Sequence, residues 1–127
     1  MDGYFLIAGI LAVFVGLVHS VLGEVLIFRH LRQSHWIPTQ SPPPLTERHI
    51  RIIWATWHLA SVFGFVLAAV LFALASPSLD FKSVTVHSIA VGFLLASLLV
   101  LVATKGKHPG WIGLLLVSVC LWLAEVF

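Results

Sequence analysis

Long apolar stretches alternate along this chain with polar ones, and the alternation predicts helices joined by one long proline-rich connection and two short ones. The apolar stretches cover about 4–28, 50–75, 84–104 and 110–127. At a rise of about 1.5 Å per residue, the first three reach across a hydrocarbon layer of about 30 Å, and the fourth sits at the lower limit for a span. The polar stretches carry the signals that stop helices. Pro38, Pro42, Pro43 and Pro44 interrupt the first connection, Thr46 offers an N-cap for the second helix, Ser76-Pro77 closes that helix, and Gly106 and Pro109 punctuate the last turn.

Composition narrows the class to membrane proteins. Of 127 residues, 60% are hydrophobic and 9% charged, with a mean hydropathy of +1.07, and a water-soluble domain of this size has too few charges here to cover so much apolar side chain. The expected fold is all-α, a four-helix transmembrane bundle with antiparallel neighbours. The first stretch is too long for a signal-peptide core and follows Asp2 rather than Lys or Arg, so it reads as a retained helix. Cys120 has no partner cysteine in the chain, so no intramolecular disulfide forms. The dense basic face of a nucleic-acid-binding protein is lacking.

Charge placement sets an expected orientation. Arg29, Arg32, Arg48, Arg51, Lys105 and Lys107 lie in or beside the first and third connections, whereas the second holds Lys82 alone. The excess of Lys and Arg in cytoplasmic loops then places loops 29–49 and 105–109 in the cytoplasm and both termini outside, in a plasma (inner) membrane. Trp36, Trp54 and Trp111 fall toward the inner interface and Tyr4 and Trp122 toward the outer one, as aromatic belts require.

Candidate chemistry sits inside the first two helices. His19 and Glu24 interrupt the first apolar stretch, and Arg51 and His58 lie at the start of the second. An ionisable group at such depth is costly without a partner, which marks a site. His19 is ten residues before Arg29 and His58 ten after Arg48, each about 15 Å from the basic end, so the two imidazoles are expected at one depth on consecutive helices. Arg51 and His58 are seven residues apart and share a helix face. The expected ladder pairs Glu24 with Arg51 and, above them, His19 with His58. Gly9, Ala12, Gly16 and Gly23 share the His19 face, which lets a second helix approach closely.

Two imidazoles and a carboxylate form a ligand set for zinc or non-haem iron, and two facing histidines are also a ligand pair for haem, giving His19, Glu24 and His58 as candidate ligands. The facing histidines resemble the site type of small four-helix haem proteins of membranes, without any motif of such a family around His19 or His58. Two other readings stand beside metal binding: a structural or accessory subunit whose ladder only fixes helix packing, and a proton or small-solute pathway. Small-residue steps at Ser88, Gly92 and Ala96, and at Gly106, Gly110 and Gly113, suggest close helix contacts within the chain or in a homodimer. His30, His35 and His49 read as solvated loop residues, and His87 as an outer-interface residue near Glu125. A phosphate-binding glycine loop, a Ser-His-Asp order and a Cys-x-x-Cys pair are all missing, so a hydrolase or nucleotide enzyme has no support.

Overall fold

The computed structural model describes residues 2–126, which form four helices and no strand. Helix α1 spans Gly3–Leu26, α2 Glu47–Ala75, α3 Phe81–Ala103 and α4 Gly110–Val126, with a 3-10 turn at Phe28–Leu31. The first three helices are long and apolar enough to cross a membrane, and α4 is a shorter apolar helix. The end of the fourth stretch expected at Phe127 lies outside the described residues.

Helices α2 and α3 each begin three residues before the expected start, because their polar first turns are capped. Thr46 holds the extended N-cap position of α2, where its N–H donates to His49 Nδ1 at 3.2 Å. Asp80 caps α3 by accepting from the Lys82 N–H at 3.1 Å. In both places the first turn carries charged residues, Glu47 and Arg48 in α2 and Lys82 in α3, and is helical all the same.

Neighbours are antiparallel, as contacts at both ends show. The Asp2 N–H donates to the Ala75 carbonyl, joining the start of α1 to the end of α2. Arg51 Nη1 donates to the Ala103 carbonyl at 3.0 Å, joining the start of α2 to the end of α3. His87 Nδ1 lies 3.8 Å from Glu125 Oε2, joining the start of α3 to the end of α4 and giving His87 the expected neighbour. Extensive packing among the described residues runs α1 to α2, α2 to α3 and α3 to α4, so the helices stand in a row with α1 and α4 at its ends.

The α1–α2 seam shows how the sequence drives packing. Gly9, Gly16 and Gly23, spaced by seven, are the buried residues of α1. Each leaves a notch for one ring of α2: a Cβ at Gly9 would stand 2.5 Å from the Phe72 ring, one at Gly16 would stand 2.7 Å from Phe65, and one at Gly23 would overlap the Trp57 indole. Such spacing keeps the small residues on one seam as the helices cross. The α2–α3 contact repeats the device with Val66 against Gly92, so the Gly92 face is used within the chain.

Hydroxyls bind the rest. Ser97 Oγ donates to the Trp111 carbonyl at 2.7 Å and Ser118 Oγ to the Ala90 carbonyl at 2.8 Å, both across α3 and α4. With little water to compete, a small hydroxyl that reaches a neighbouring backbone is a useful interhelical tie, worth about 0.6 kcal/mol.

Candidate functional site: a carboxylate and an imidazole on the first helix seam

Glu24 is the centre of the polar cluster. It lies two residues before the end of α1, on the side turned to α2, so its carboxylate meets the first turns of that helix. Oε1 accepts from Trp54 Nε1 at 2.6 Å and lies 2.8 Å from His58 Nε2. Trp54 and His58 are one turn apart on α2, which is why one oxygen reaches both. Oε2 faces Arg32 Nη2 at 2.5 Å, a charge contact rather than a well-aligned hydrogen bond. The 3-10 turn after α1 brings Arg32 back over the end of the helix that carries Glu24.

The cluster continues inward along the seam. His58 Nδ1 is 2.9 Å from Ser20 Oγ, Ser20 Oγ donates to Ser61 Oγ at 2.8 Å, and Ser61 Oγ donates to the Gly16 carbonyl at 2.8 Å. Glycine at position 16 brings the two backbones close enough for Ser61, itself buried, to reach that carbonyl. Toward the polar end, Glu24, Arg32, Trp36, Trp54, His58 and Leu99 line an open cleft of about 430 Å³.

Arg51 does not pair with Glu24, contrary to expectation. Its Nε donates to Glu47 Oε1 at 2.7 Å and its Nη1 to the Ala103 carbonyl, and the residue is 8% exposed. The reason is level along the helix. Arg51 lies one turn nearer the start of α2 than Trp54, beside the C-terminus of α3, whose unpaired carbonyls and negative dipole end attract a cation. Glu24, one turn deeper, is met instead by Arg32.

His19 and His58 also go different ways. The His19 ring stacks on Trp57 with centroids 4.4 Å apart and planes 8° from parallel, and the Trp57 Nε1–H donates to the His19 carbonyl at 3.0 Å. His19 Nε2 is buried without a hydrogen-bond partner. The structure thus joins Glu24 with His58 and leaves the His19 imidazole against an indole. Among the described residues no three of His, Cys, Asp and Glu are grouped so as to hold a metal ion.

Arg32, Ser61 and Trp57 were not singled out from the sequence. Arg32 counted only as a loop charge, although it follows Glu24 by eight residues across a short turn. Ser61 lies three residues after His58, the spacing that puts two side chains on one helix face, and that signal was available. Trp57 carried no signal, since a tryptophan in an apolar helix reads as packing.

Comparison with known proteins adds no kinship to this geometry: no family model, curated protein or solved structure matches the chain.

Proposed function

We propose that this is a small integral membrane protein that holds an exchangeable proton between Glu24 and His58, on the side of the membrane that faces the basic loops. The excess of Lys and Arg in those loops supports a cytoplasmic placement for them, with both helix-row ends at residues 3 and 126 outside.

The direction of the hydrogen-bond chain carries the reading. A backbone carbonyl only accepts, so the single Ser61 proton is committed to Gly16. The Ser20 proton then goes to Ser61 Oγ, and Ser20 Oγ accepts from His58, which requires a proton on Nδ1. His58 Nε2 and Glu24 Oε1 remain, 2.8 Å apart and with room for one shared proton. Trp54 and Arg32 stabilise negative charge on the carboxylate and hold that proton toward the imidazole. The open cleft beside the pair is the route for exchange. Nitrogen-15 NMR of histidine-labelled protein in lipid bilayers tests this. His58 should show a protonated Nδ1 whose signal changes in Glu24→Gln, and an unprotonated Nδ1 in the unaltered protein defeats the proposal.

Two other readings keep one observation each. A purely structural subunit is favoured by the glycine notches filled by Phe72, Phe65 and Trp57, which join α1 to α2 without any need for chemistry. Under that reading Glu24→Gln lowers stability, and the His58 ring protons exchange with solvent no faster in the unaltered protein than in the variant. Zinc, iron or haem binding is favoured by the unpartnered His19 Nε2, but it requires His58 to leave Ser20 or Glu24. Metal analysis and a visible absorption spectrum of the purified protein test it.

A further inference from the structure

The C-terminus of α3 carries a lysine where the backbone favours glycine. The Gly106 N–H donates to the Leu101 carbonyl at 2.8 Å and the Lys105 N–H to the Val102 carbonyl at 3.3 Å, which is the Schellman pattern for ending a helix. The left-handed residue in that pattern is usually glycine because a Cβ is strained there. Here it is Lys105, at φ 53°, followed by Gly106 at φ 73°. A glycine at 105 would satisfy the backbone better. What it would remove is an ammonium group.

That ammonium belongs to a basic cleft. Glu47, Arg48, Arg51, Thr104, Lys105 and Lys107 line a cavity of about 380 Å³ between the start of α2 and the end of α3. The Glu47 carboxylate is engaged by Arg51, and Arg51 is further held by the Ala103 carbonyl, so that pair is internally neutralised. Arg48, Lys105 and Lys107 are exposed and make no ion pair among the described residues, leaving three positive charges around one opening. A second cleft adjoins it, sharing Glu47, Arg51 and Lys105 and reaching Trp36, which is 88% exposed. An exposed indole beside a basic opening, at the end of apolar helices, suits the headgroup level of a bilayer.

We propose that Arg48, Lys105 and Lys107 form a binding site for a phosphate group, presented at the membrane surface by an anionic lipid or in free form. Compact ammonium groups act on phosphate as point charges, and Arg48 adds a planar fork of donors. Lys105 is retained at a strained position because its side chain completes the site.

The test uses the full chain purified in mild detergent, with lipid retention read by native mass spectrometry, unfolding followed by circular dichroism, and orthophosphate binding measured by equilibrium dialysis. Phosphatidylglycerol should be retained in preference to phosphatidylcholine. Lys105→Gly should weaken that retention roughly fivefold and Arg48→Gln/Lys107→Gln further, as expected for cations lost at an anionic headgroup. Lys82→Gln, the same charge change at the opposite end, should leave retention unaltered. Lys105→Gly should also unfold at a temperature no lower than the unaltered chain, which separates a lost ligand contact from a damaged fold. If that variant fails to fold, the Arg48→Gln/Lys107→Gln protein carries the same comparison. Orthophosphate that binds with the same dependence on these residues, and displaces the lipid, identifies free phosphate as the source. Equal retention of both lipids together with no phosphate binding overturns the proposal, as does undiminished retention in the variants.

Discussion

The Trp57 indole occupies the notch at Gly23, and its Nε1–H donates to the carbonyl of His19, four residues earlier on α1. One side chain therefore fills the seam and satisfies a backbone carbonyl, and the same indole stacks on the His19 ring. The notch and the hydrogen bond depend on each other, since a side chain at 23 would displace the indole from both.

Gly23→Leu should therefore destabilise the protein by about 1–3 kcal/mol, the usual cost of overpacking a close contact. Gly113→Ala is the control, because a Cβ there meets nothing within 4 Å. Unfolding in mixed detergent should show the loss for Gly23→Leu and little change for the control. Equal behaviour of the two would show that the glycine seam does not set the packing.

Arg51→Met should be costly even though it replaces a charge by an apolar side chain of similar length. It leaves the Ala103 carbonyl without its donor and the Glu47 carboxylate without its cation. A loss of about 1–3 kcal/mol is expected for the orphaned group. Glu47→Gln, at an exposed carboxylate screened by solvent, should cost less. The two thermal midpoints, compared side by side, check the ranking.

Within the Glu24 cluster, losses should be unequal. Arg32→Gln removes one contact to a side chain that is 28% exposed, and an ion pair so placed is worth about 0–1 kcal/mol. Glu24→Leu removes the acceptor for Trp54 and the partner of His58 and Arg32 together, and should cost several times more. A double substitution should be less than additive, because Arg32 has nothing to lose once Glu24 is gone.

Ser61→Ala probes the direction of the chain. Without Ser61 Oγ as an acceptor, the Ser20 hydroxyl turns its proton toward His58 Nδ1, 2.9 Å away. His58 should then change from a protonated to an unprotonated Nδ1, seen in nitrogen-15 spectra, while stability falls by only about 0.6 kcal/mol. A spectrum unchanged by Ser61→Ala would show that the proton order is set elsewhere.

The element plan was legible because lipid imposes a coarse rule: every backbone polar group must be satisfied within its own helix, and apolar length alone reveals a span. The ends at Thr46 and Asp80 were less so, since a capped polar turn adds helix without hydropathy. The glycine face of α1 was visible from its spacing. Its occupants, Phe72, Phe65 and Trp57, were not, because an apolar helix offers aromatic side chains on several faces at once.

By itself, then, the sequence determined that four apolar helices pack as antiparallel neighbours, with Glu24 and Arg51 toward the basic end of the first two and His19 and His58 deeper. Spacing along one helix is fixed by the 3.6-residue turn, so axial level and shared face can be counted. Tertiary structure decided the partners. Arg32 reached Glu24 through the path of a 3-10 turn, Arg51 found the C-terminus of α3, and His19 turned to an indole while His58 kept the carboxylate. Such choices depend on side-chain reach and on which acceptors a neighbouring helix leaves unpaired at the same level. Neither is a property of one helix's residue spacing, and both exist only once the helices are side by side.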